Sequence, residues 1–264
     1  MIRKALIYKY LLILRYVTYL AWCRNKTRFI KTKLGSIWIG LSTLLMISSL
    51  AFVYGAVVRV ANIREYIAYI GLGILFWNTS AGLVTDFSTL LNRSRDRLLS
   101  TSINIIDIMA EEYIFALQNL FFSMCMVLPA IALIYPSIIP KIFTIKALIA
   151  FATYLIVILI NSISIAIISL ISADLFQLIP VALQLSFLLS PILYYKESLK
   201  GKEWVFRFNP FYIPVTIARD GIYNSGAFSY KKIILLLFLS LIIFTFLIKA
   251  IKKNARKINL YVDR

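Results

Sequence analysis

The sequence predicts an all-α membrane protein: six transmembrane helices, an N-terminal amphipathic interface helix, and short re-entrant helices before the last span. Of the 264 residues, 61% are apolar and the mean hydropathy is +0.86, which is too hydrophobic for a soluble domain. The apolar residues form stretches long enough to cross a bilayer, which takes about 20 residues at a rise of about 1.5 Å each. Basic residues flank these stretches.

The first element, residues 1–33, is predicted to be the basic interface helix. Nine of the first 34 residues are Lys or Arg, and the first acidic residue of the chain is Glu65. A positive block before the first apolar span holds this end in the cytoplasm, against an anionic membrane surface. Residues 5–23 could instead cross as a seventh helix. Lys9 and Arg15 would then cost about 2.5–3.5 kcal/mol each at the bilayer centre, so an interfacial helix is favoured.

The remainder, residues 34–264, is predicted to be one transmembrane domain. Its six apolar spans are residues 34–58, 66–91, 108–134, 144–171, 178–195 and 230–248. Six spans with a cytoplasmic N-terminus place the C-terminus in the cytoplasm too. The predicted cytoplasmic segments hold most of the 29 Lys and Arg residues, which agrees with this orientation.

Small residues are concentrated in the early spans, and prolines in the later part of the chain. Small residues are frequent in the first two spans, where they allow helices to pack closely. All seven Pro come after residue 128 and predict broken or re-entrant segments near the outer face. Residues 196–229 alternate aromatic and charged side chains, a pattern too amphipathic for a plain loop. We expect short helices here that dip back into the outer leaflet.

A polar segment, residues 92–107, links the second and third spans on the predicted cytoplasmic side. It alternates Arg and Asp and then becomes apolar. One interpretation is a solvated loop; the other is a short helix on the membrane surface whose apolar side docks on a cytoplasmic partner. The candidate residues for docking on such a partner are Asn92, Arg93, Arg95, Asp96, Arg97, Leu98, Leu99 and Ile103.

Two sets of polar residues lie within the predicted spans. The acidic set lies near the inner ends and comprises Asp86, Glu111, Glu112 and Asp174. Such groups can face a cavity or a partner, or they can reach the membrane–water interface. Their position at the span edges favours the membrane–water interface. The amide set lies nearer the span centres and comprises Asn78, Asn119, Asn161 and Gln184. For these, hydrogen bonding between helices is favoured over lining a passage.

The composition argues against several classes of function. The chain has no His, which disfavours a zinc enzyme or a histidine base of the soluble type. The net charge of +18 does not indicate nucleic-acid binding, because the basic residues do not form a stripe. Residues 35–42 resemble a phosphate loop but lack its Lys. We therefore expect no catalysis and no cofactor in this chain, and any use of ATP and Mg would require a partner subunit.

Several short motifs resemble those of the permease subunits of ABC type-2 transporters, in the branch that exports bacterial polysaccharides. In chain order they are Lys33-Leu34-Gly35-Ser36-Ile37-Trp38, Tyr69 to Asn78, the 92–107 connector, Ser172 to Leu175, Ser190 to Tyr194, and Asn209-Pro210 followed by Arg219. Two positions depart from the family pattern. Asn104-Ile105-Ile106 stands where an apolar-Pro pair is usual, and Phe211-Tyr212 stands where a small polar residue is common.

The resemblance implies a homodimer bound to two cytoplasmic ATPase subunits in a bacterial cytoplasmic (inner) membrane. A lipid-linked polysaccharide of the O-antigen, capsule or teichoic acid type would pass between the two permeases. Residues 92–107 correspond to the family's coupling helix, residues 1–33 to its interface helix, and residues 196–229 to its outer gate. The residues implied at the outer gate are Trp204, Phe208, Asn209, Pro210 and Arg219; those implied at substrate entry are Arg24, Lys26 and Arg28.

Two other functions fit parts of the pattern. A type-2 ABC permease for a small lipid or drug would have the same architecture and a different passage. A secondary transporter or channel would need no ATPase and predicts carboxylates at mid-membrane, whereas the Asp and Glu residues here avoid the span centres. The 14% aromatic content and the short chain favour polysaccharide export.

Overall fold

A computed structural model shows a helical bundle built around one central helix. The structure describes residues 2–58, 62–100, 105–169, 174–196, 201–202, 204–207, 209–223 and 230–262, and these ranges contain no strand. The helices are α1 (Ile2–Arg28), α2 (Ile37–Val58), α3 (Ile63–Arg93), α4 (Arg95–Ser100), α5 (Ile105–Ile134), α6 (Ile139–Ile142), α7 (Ile145–Ser169), α8 (Leu175–Leu189), α9 (Trp204–Arg207), α10 (Tyr212–Tyr223) and α11 (Tyr230–Val262). A 3-10 turn, Pro136–Ile138, precedes α6.

Four helices among the described residues are long and apolar enough to cross a membrane. Their bounds are Ile37–Gly55, Ile63–Arg93, Ile105–Ile134 and Ile145–Ser169. They coincide with the first four predicted spans. At the fifth and sixth predicted spans the apolar helical segments are shorter, Phe176–Leu189 and Ile233–Phe246. The all-α membrane character is therefore supported, and the count of six spans stays a prediction.

Helix α3 is the centre of the bundle. It packs against α2, α5, α7, α8 and α10, and most of its length is buried. Its N-cap residue is Asn62, whose side-chain oxygen accepts a hydrogen bond from the backbone N–H of Glu65 at 3.3 Å. This contact satisfies one of the free N–H groups of the first turn. The first acid of the chain therefore marks the start of its central helix.

The predicted close packing of early helices is found between α2 and α5. A Cβ built on Gly40 would lie 2.5 Å from Cγ of Met126 and 2.7 Å from the carbonyl oxygen of Phe122, so the two backbones approach too closely for a side chain. The hydroxyl groups of Thr43 and Ser123 lie 3.3 Å apart across the same interface.

The late prolines have different effects. Pro129 and Pro180 lie inside α5 and α8, which remain single helices, so the predicted break does not occur at either one. Helix α8 ends at Leu189, whereas the predicted span runs to residue 195. Ser190 has extended backbone angles, because a following proline (Pro191) disfavours the helical conformation of the residue before it.

Short helices form before the last long helix, as predicted, although their entry into a membrane stays a prediction. Helix α10 packs along α7 and α3. It starts beside the middle of α7, where the side-chain amide of Asn161 donates to the carbonyl of Pro210 at 3.5 Å. At its end, the hydroxyl of Tyr223 donates to the carbonyl of Glu65 at 2.7 Å.

Helix α1 is continuous and packs along α5. Its contact face buries Val17, Ala21 and Asn25, while Tyr19 and Trp22 are exposed. The side-chain amide of Asn25 donates to Gln118 on α5 at 2.9 Å. A helix fixed to the bundle on one side and aromatic on the other suits a membrane interface; the choice between lying on and crossing the membrane stays open.

Candidate functional site

An ion-pair cluster joins four elements at one end of the bundle, which we call the connector end because it carries α4. Glu112 on α5 accepts hydrogen bonds from Arg24 on α1 at 2.6 and 3.0 Å and from Arg93 at the end of α3 at 2.7 Å. The neighbouring Glu111 accepts from Arg97 on α4 at 2.9 Å. The adjacent carboxylates of α5 thus hold arginines from α1, α3 and α4.

Burial explains why these charges pair. The side chain of Glu112 is 3% exposed, and a carboxylate so far from water is costly unless cations and hydrogen bonds compensate it. The guanidinium of Arg24 also lies 4.0 Å from the ring centroid of Phe115. Desolvation acts to lower the pKa of Arg24, but its hydrogen bonds and charge attraction to Glu112 prevail and raise that pKa above its usual range.

The structure corrects one interpretation of the acidic residues. Glu111 and Glu112 were expected to reach the membrane interface, yet both are buried and paired within the chain. Two adjacent acids in an otherwise apolar helix are the sequence feature that could have predicted this pairing. Acids at such a position need cations from elsewhere in the fold. Asp174 is exposed at the start of α8, as expected for an interfacial group.

The predicted coupling residues divide between the ion-pair cluster and the surface. A short helix, α4, forms within the connector. Arg93 and Arg97 bind the carboxylates of α5, and Leu98 is partly buried against the chain's own core. Asn92 and Asp96 are exposed and Arg95 is half-buried. The side chain of Leu99 and all of Ile103 lie outside the described residues.

A polar cleft opens beside this cluster, between the end of α1 and helices α2, α3 and α5. One cavity of about 450 Å³ is lined by Arg28, Trp38, Asn78 and the hydroxyl side chains around them. A second of about 630 Å³ is lined by Arg24 and Phe115. The two cavities share Arg28, Gly82, Asp86 and Asn119 and form one cleft, which we call the polar cleft.

The amides of the polar cleft differ from the sequence-based interpretation. The side-chain oxygen of Asn119 is buried and has no hydrogen-bond partner, and Asn78 makes one long contact, 3.7 Å to the sulfur of Met46. Both residues line the cleft and do not bridge helices through strong hydrogen bonds. Asn161, by contrast, makes the expected contact between elements, to Pro210.

The three residues implied at substrate entry have separate positions. Arg28 lines both cavities of the polar cleft, and Arg24 lines one of them while binding Glu112. Lys26 is exposed on the surface of α1. Two of the three therefore face one cavity.

A second cluster, built on Arg219, lies near the other end of α3. The side chain of Arg219 is fully buried. It donates to the carbonyl of Pro191 and to the hydroxyl of Tyr212, both at 3.0 Å, and its guanidinium lies 3.9 Å from the ring centroid of Tyr69. A Cβ on Gly73 would lie 3.4 Å from Nη1 of Arg219, so this glycine leaves room for the arginine.

This Arg219 cluster brings together motifs that are distant in sequence. Tyr69 donates to the carbonyl of Pro191 at 3.0 Å, and Asn209 donates to the hydroxyl of Ser190 at 2.8 Å. Asn209 also caps the following turn, since its side-chain oxygen accepts from the N–H of Phe211 at 3.1 Å. Tyr69 and Tyr212 were noted within sequence motifs, but their pairing with Arg219 was not predicted, because it depends on the three-dimensional fold.

The remaining residues implied at the outer gate show no common site. Trp204 is 70% exposed and Pro210 is exposed. Phe208 lies outside the described residues. Comparison with models of protein families and with curated proteins finds no match for this chain.

Proposed function

We propose that this chain is the transmembrane permease subunit of an ATP-driven ABC exporter that moves a lipid-linked polysaccharide across the bacterial cytoplasmic membrane. The polysaccharide is of the O-antigen, capsule or teichoic acid type. Two copies of the chain form the passage, and two cytoplasmic ATPase subunits drive it. The N- and C-termini lie in the cytoplasm, as does the 92–107 connector.

The ion-pair cluster is the observation that carries this proposal. A transporter driven by a separate motor needs an element that transmits motion into the membrane. Helix α4 is bound to α5 through Arg97 and Glu111, and α5 is bound to α1 and α3 through Glu112. A displacement of α4 is therefore passed directly to long helices of the bundle.

The polar cleft supplies hydrogen-bonding groups that a hydrophilic cargo can use. Its lining includes amide, hydroxyl and charged side chains beside Trp38. A secondary transporter would carry its coupling carboxylates at mid-span, whereas Glu111 and Glu112 lie near the start of α5 and bind arginines.

Co-purification from native membranes tests the proposed partner. The tagged chain is extracted in mild detergent, and bound proteins are identified by mass spectrometry. We expect a stoichiometric ATPase whose activity depends on Mg. Recovery of the chain alone, under conditions that keep its own dimer intact, would contradict an ABC mechanism.

Deletion of the chain tests the proposed cargo. We expect lipid-linked polysaccharide to accumulate inside the cell and the surface polymer to disappear, with both restored by the wild-type chain. Undiminished surface polysaccharide in the deletion strain would contradict the export role. A strain lacking the co-purified ATPase is the matched control and should behave in the same way.

A further inference from the structure

We propose that the polar cleft is a saccharide-binding subsite contained within a single copy of the chain. Its ligand is the neutral, hydroxyl-bearing part of an oligosaccharide, held by Asp86, Asn119 and Asn78 with Trp38 as an apolar wall. This inference rests on the proposed function, which it extends by naming the chemical group that the cleft recognises.

The cleft has the size of a ligand site. Its two cavities enclose about 450 and 630 Å³ and share four lining residues. Small-molecule sites in proteins are typically about 300–1,000 Å³. Its walls belong to long helices that Gly40 and the Thr43–Ser123 contact pack closely, so the cleft is preformed.

Two groups in the cleft offer hydrogen-bond acceptors to a ligand. The side-chain oxygen of Asn119 is buried without a partner. Among the described residues, none forms an ion pair or hydrogen bond with the carboxylate of Asp86. The hydroxyls of Ser42 and Thr79 each donate to a carbonyl of their own helix at 3.1 Å, which leaves only their acceptor sites for a ligand.

A cleft with both acceptors and donors calls for a ligand that can donate as well as accept hydrogen bonds. Each sugar hydroxyl donates one hydrogen bond, and neighbouring hydroxyls can bind one carboxylate or amide oxygen together. A phosphate or pyrophosphate offers mainly acceptors, so it could pair with Arg24 and Arg28 but would leave the oxygens of Asn119 and Asp86 without donors. These unsatisfied acceptors therefore favour the sugar portion of a lipid-linked glycan over its phosphate.

The aromatic wall agrees with this assignment. Trp38 is 39% exposed and lines the cleft beside the hydroxyl of Ser42. The C–H face of a pyranose ring packs on an indole ring, while the hydroxyls at the ring edge reach polar groups. Donors are also present, because the side-chain amides of Asn78 and Asn119 and the guanidinium of Arg28 line the same space.

Gly82 provides a way to fill the cleft without disturbing the helices. It lines both cavities, and a Cβ built there meets no atom within 4 Å. A side chain at this position would project into the cleft. Gly82→Ala should lower export slightly and Gly82→Phe strongly. Ile156→Phe, which enlarges an exposed side chain of α7, is the matched control and should leave export unchanged.

Export by complemented deletion strains is the first test. At equal protein level and equal ATPase recovery, Gly82→Phe and Asn119→Leu should each lower surface polysaccharide several-fold relative to Ile156→Phe. If both export like wild type, the subsite is wrong and the proposed function stands. If deletion itself leaves the surface polymer unchanged, the proposed function fails, and the binding measurement below decides the subsite alone.

Protection of a cysteine in the cleft is the second test. Ser42→Cys is introduced into a variant with Cys23→Ser and Cys125→Ser, reconstituted in nanodiscs with whichever subunits co-purify, and labelled with a maleimide. The probe is the oligosaccharide released by mild acid from the host's lipid-linked glycan, compared with inorganic pyrophosphate. We expect the oligosaccharide to slow labelling several-fold and pyrophosphate to have no effect. Equal protection by pyrophosphate, or none by the oligosaccharide, would overturn the saccharide assignment.

Discussion

At the scale of single residues, Glu112 is the acid on which the connector end depends. Its side chain is 3% exposed, and it binds both Arg24 and Arg93. Removing its charge leaves two arginines without their anion. Because both arginines are partly exposed, water compensates some of this loss, and the expected cost is about 1–3 kcal/mol.

Glu112→Gln should accordingly lower the thermal unfolding midpoint of the detergent-purified chain. Asp174→Asn is the control, since Asp174 is an exposed acid at the start of a helix and its loss should change the midpoint little. Fluorescence-detected size exclusion after heating measures both variants. Equal midpoints for Glu112→Gln and wild type would show that the pairs contribute no stability.

Arg219 is the corresponding residue near the other end of α3. It is fully buried, stacks on Tyr69 and donates to Pro191 and Tyr212. Lysine keeps the charge but cannot stack as a plane or reach two acceptors in the same geometry. Arg219→Lys should therefore cost about 3 kcal/mol or more, as expected when a buried charge loses its partners.

The same heating assay measures Arg219→Lys, with Arg64→Lys as an exposed arginine control in the first turn of α3. We also expect faster proteolysis after Lys202, because the arginine fixes the chain on either side of that residue. A wild-type midpoint for Arg219→Lys would mean that the stacked plane is dispensable.

At the scale of elements, the helices could be read from the sequence and their partners could not. Apolar length placed the long helices, and Pro191 explains why α8 ends at Leu189, earlier than predicted. Hydropathy carries no information on which arginine binds which acid. Arg24 and Glu112 are 88 residues apart, and only the packing of α1 along α5 brings them together. The positions of Asn78 and Asn119 in the cleft likewise depend on how α2 and α3 pack against α5.

Helix α4 gives a prediction that separates internal pairing from partner docking. Arg97→Glu should destabilise the chain and weaken ATPase association, because it removes the contact to Glu111 and reverses the charge on the connector. The swap Arg97→Glu with Glu111→Arg should recover stability, since the pair is rebuilt, but not ATPase association.

Pull-down of the ATPase at matched protein level, together with the thermal midpoint, distinguishes the two effects. Arg95→Glu changes the nearby, half-buried arginine of the same helix. It tests whether this second charge of the connector contributes to ATPase binding. Full recovery of ATPase binding by the swap would show that α4 does not contact the partner through this charge. Docking would then involve another part of the connector end.

At the scale of the whole molecule, motifs that are distant in sequence come together near the two ends of α3. Near its start, Tyr69 meets Pro191 and Arg219; at its end, Arg93 meets Glu112. A 31-residue helix spans about 45 Å, more than the hydrocarbon core of a bilayer, so the two clusters lie at opposite ends of the bundle. One central helix thus links the connector end to the Arg219 cluster.

This arrangement predicts a topology that single cysteines can test. In a cysteine-free background, Asn92→Cys and Asp174→Cys should react with a membrane-impermeant maleimide only after the membrane is opened, because both positions belong to the predicted cytoplasmic side. Ser137→Cys and Lys202→Cys should react in intact cells. All four positions are exposed in the structure, so a lack of labelling cannot be attributed to burial within the chain.

Tyr8→Cys, exposed on α1, decides the remaining question: labelling from outside would mean that α1 crosses the membrane, and labelling from inside that it lies on the cytoplasmic surface.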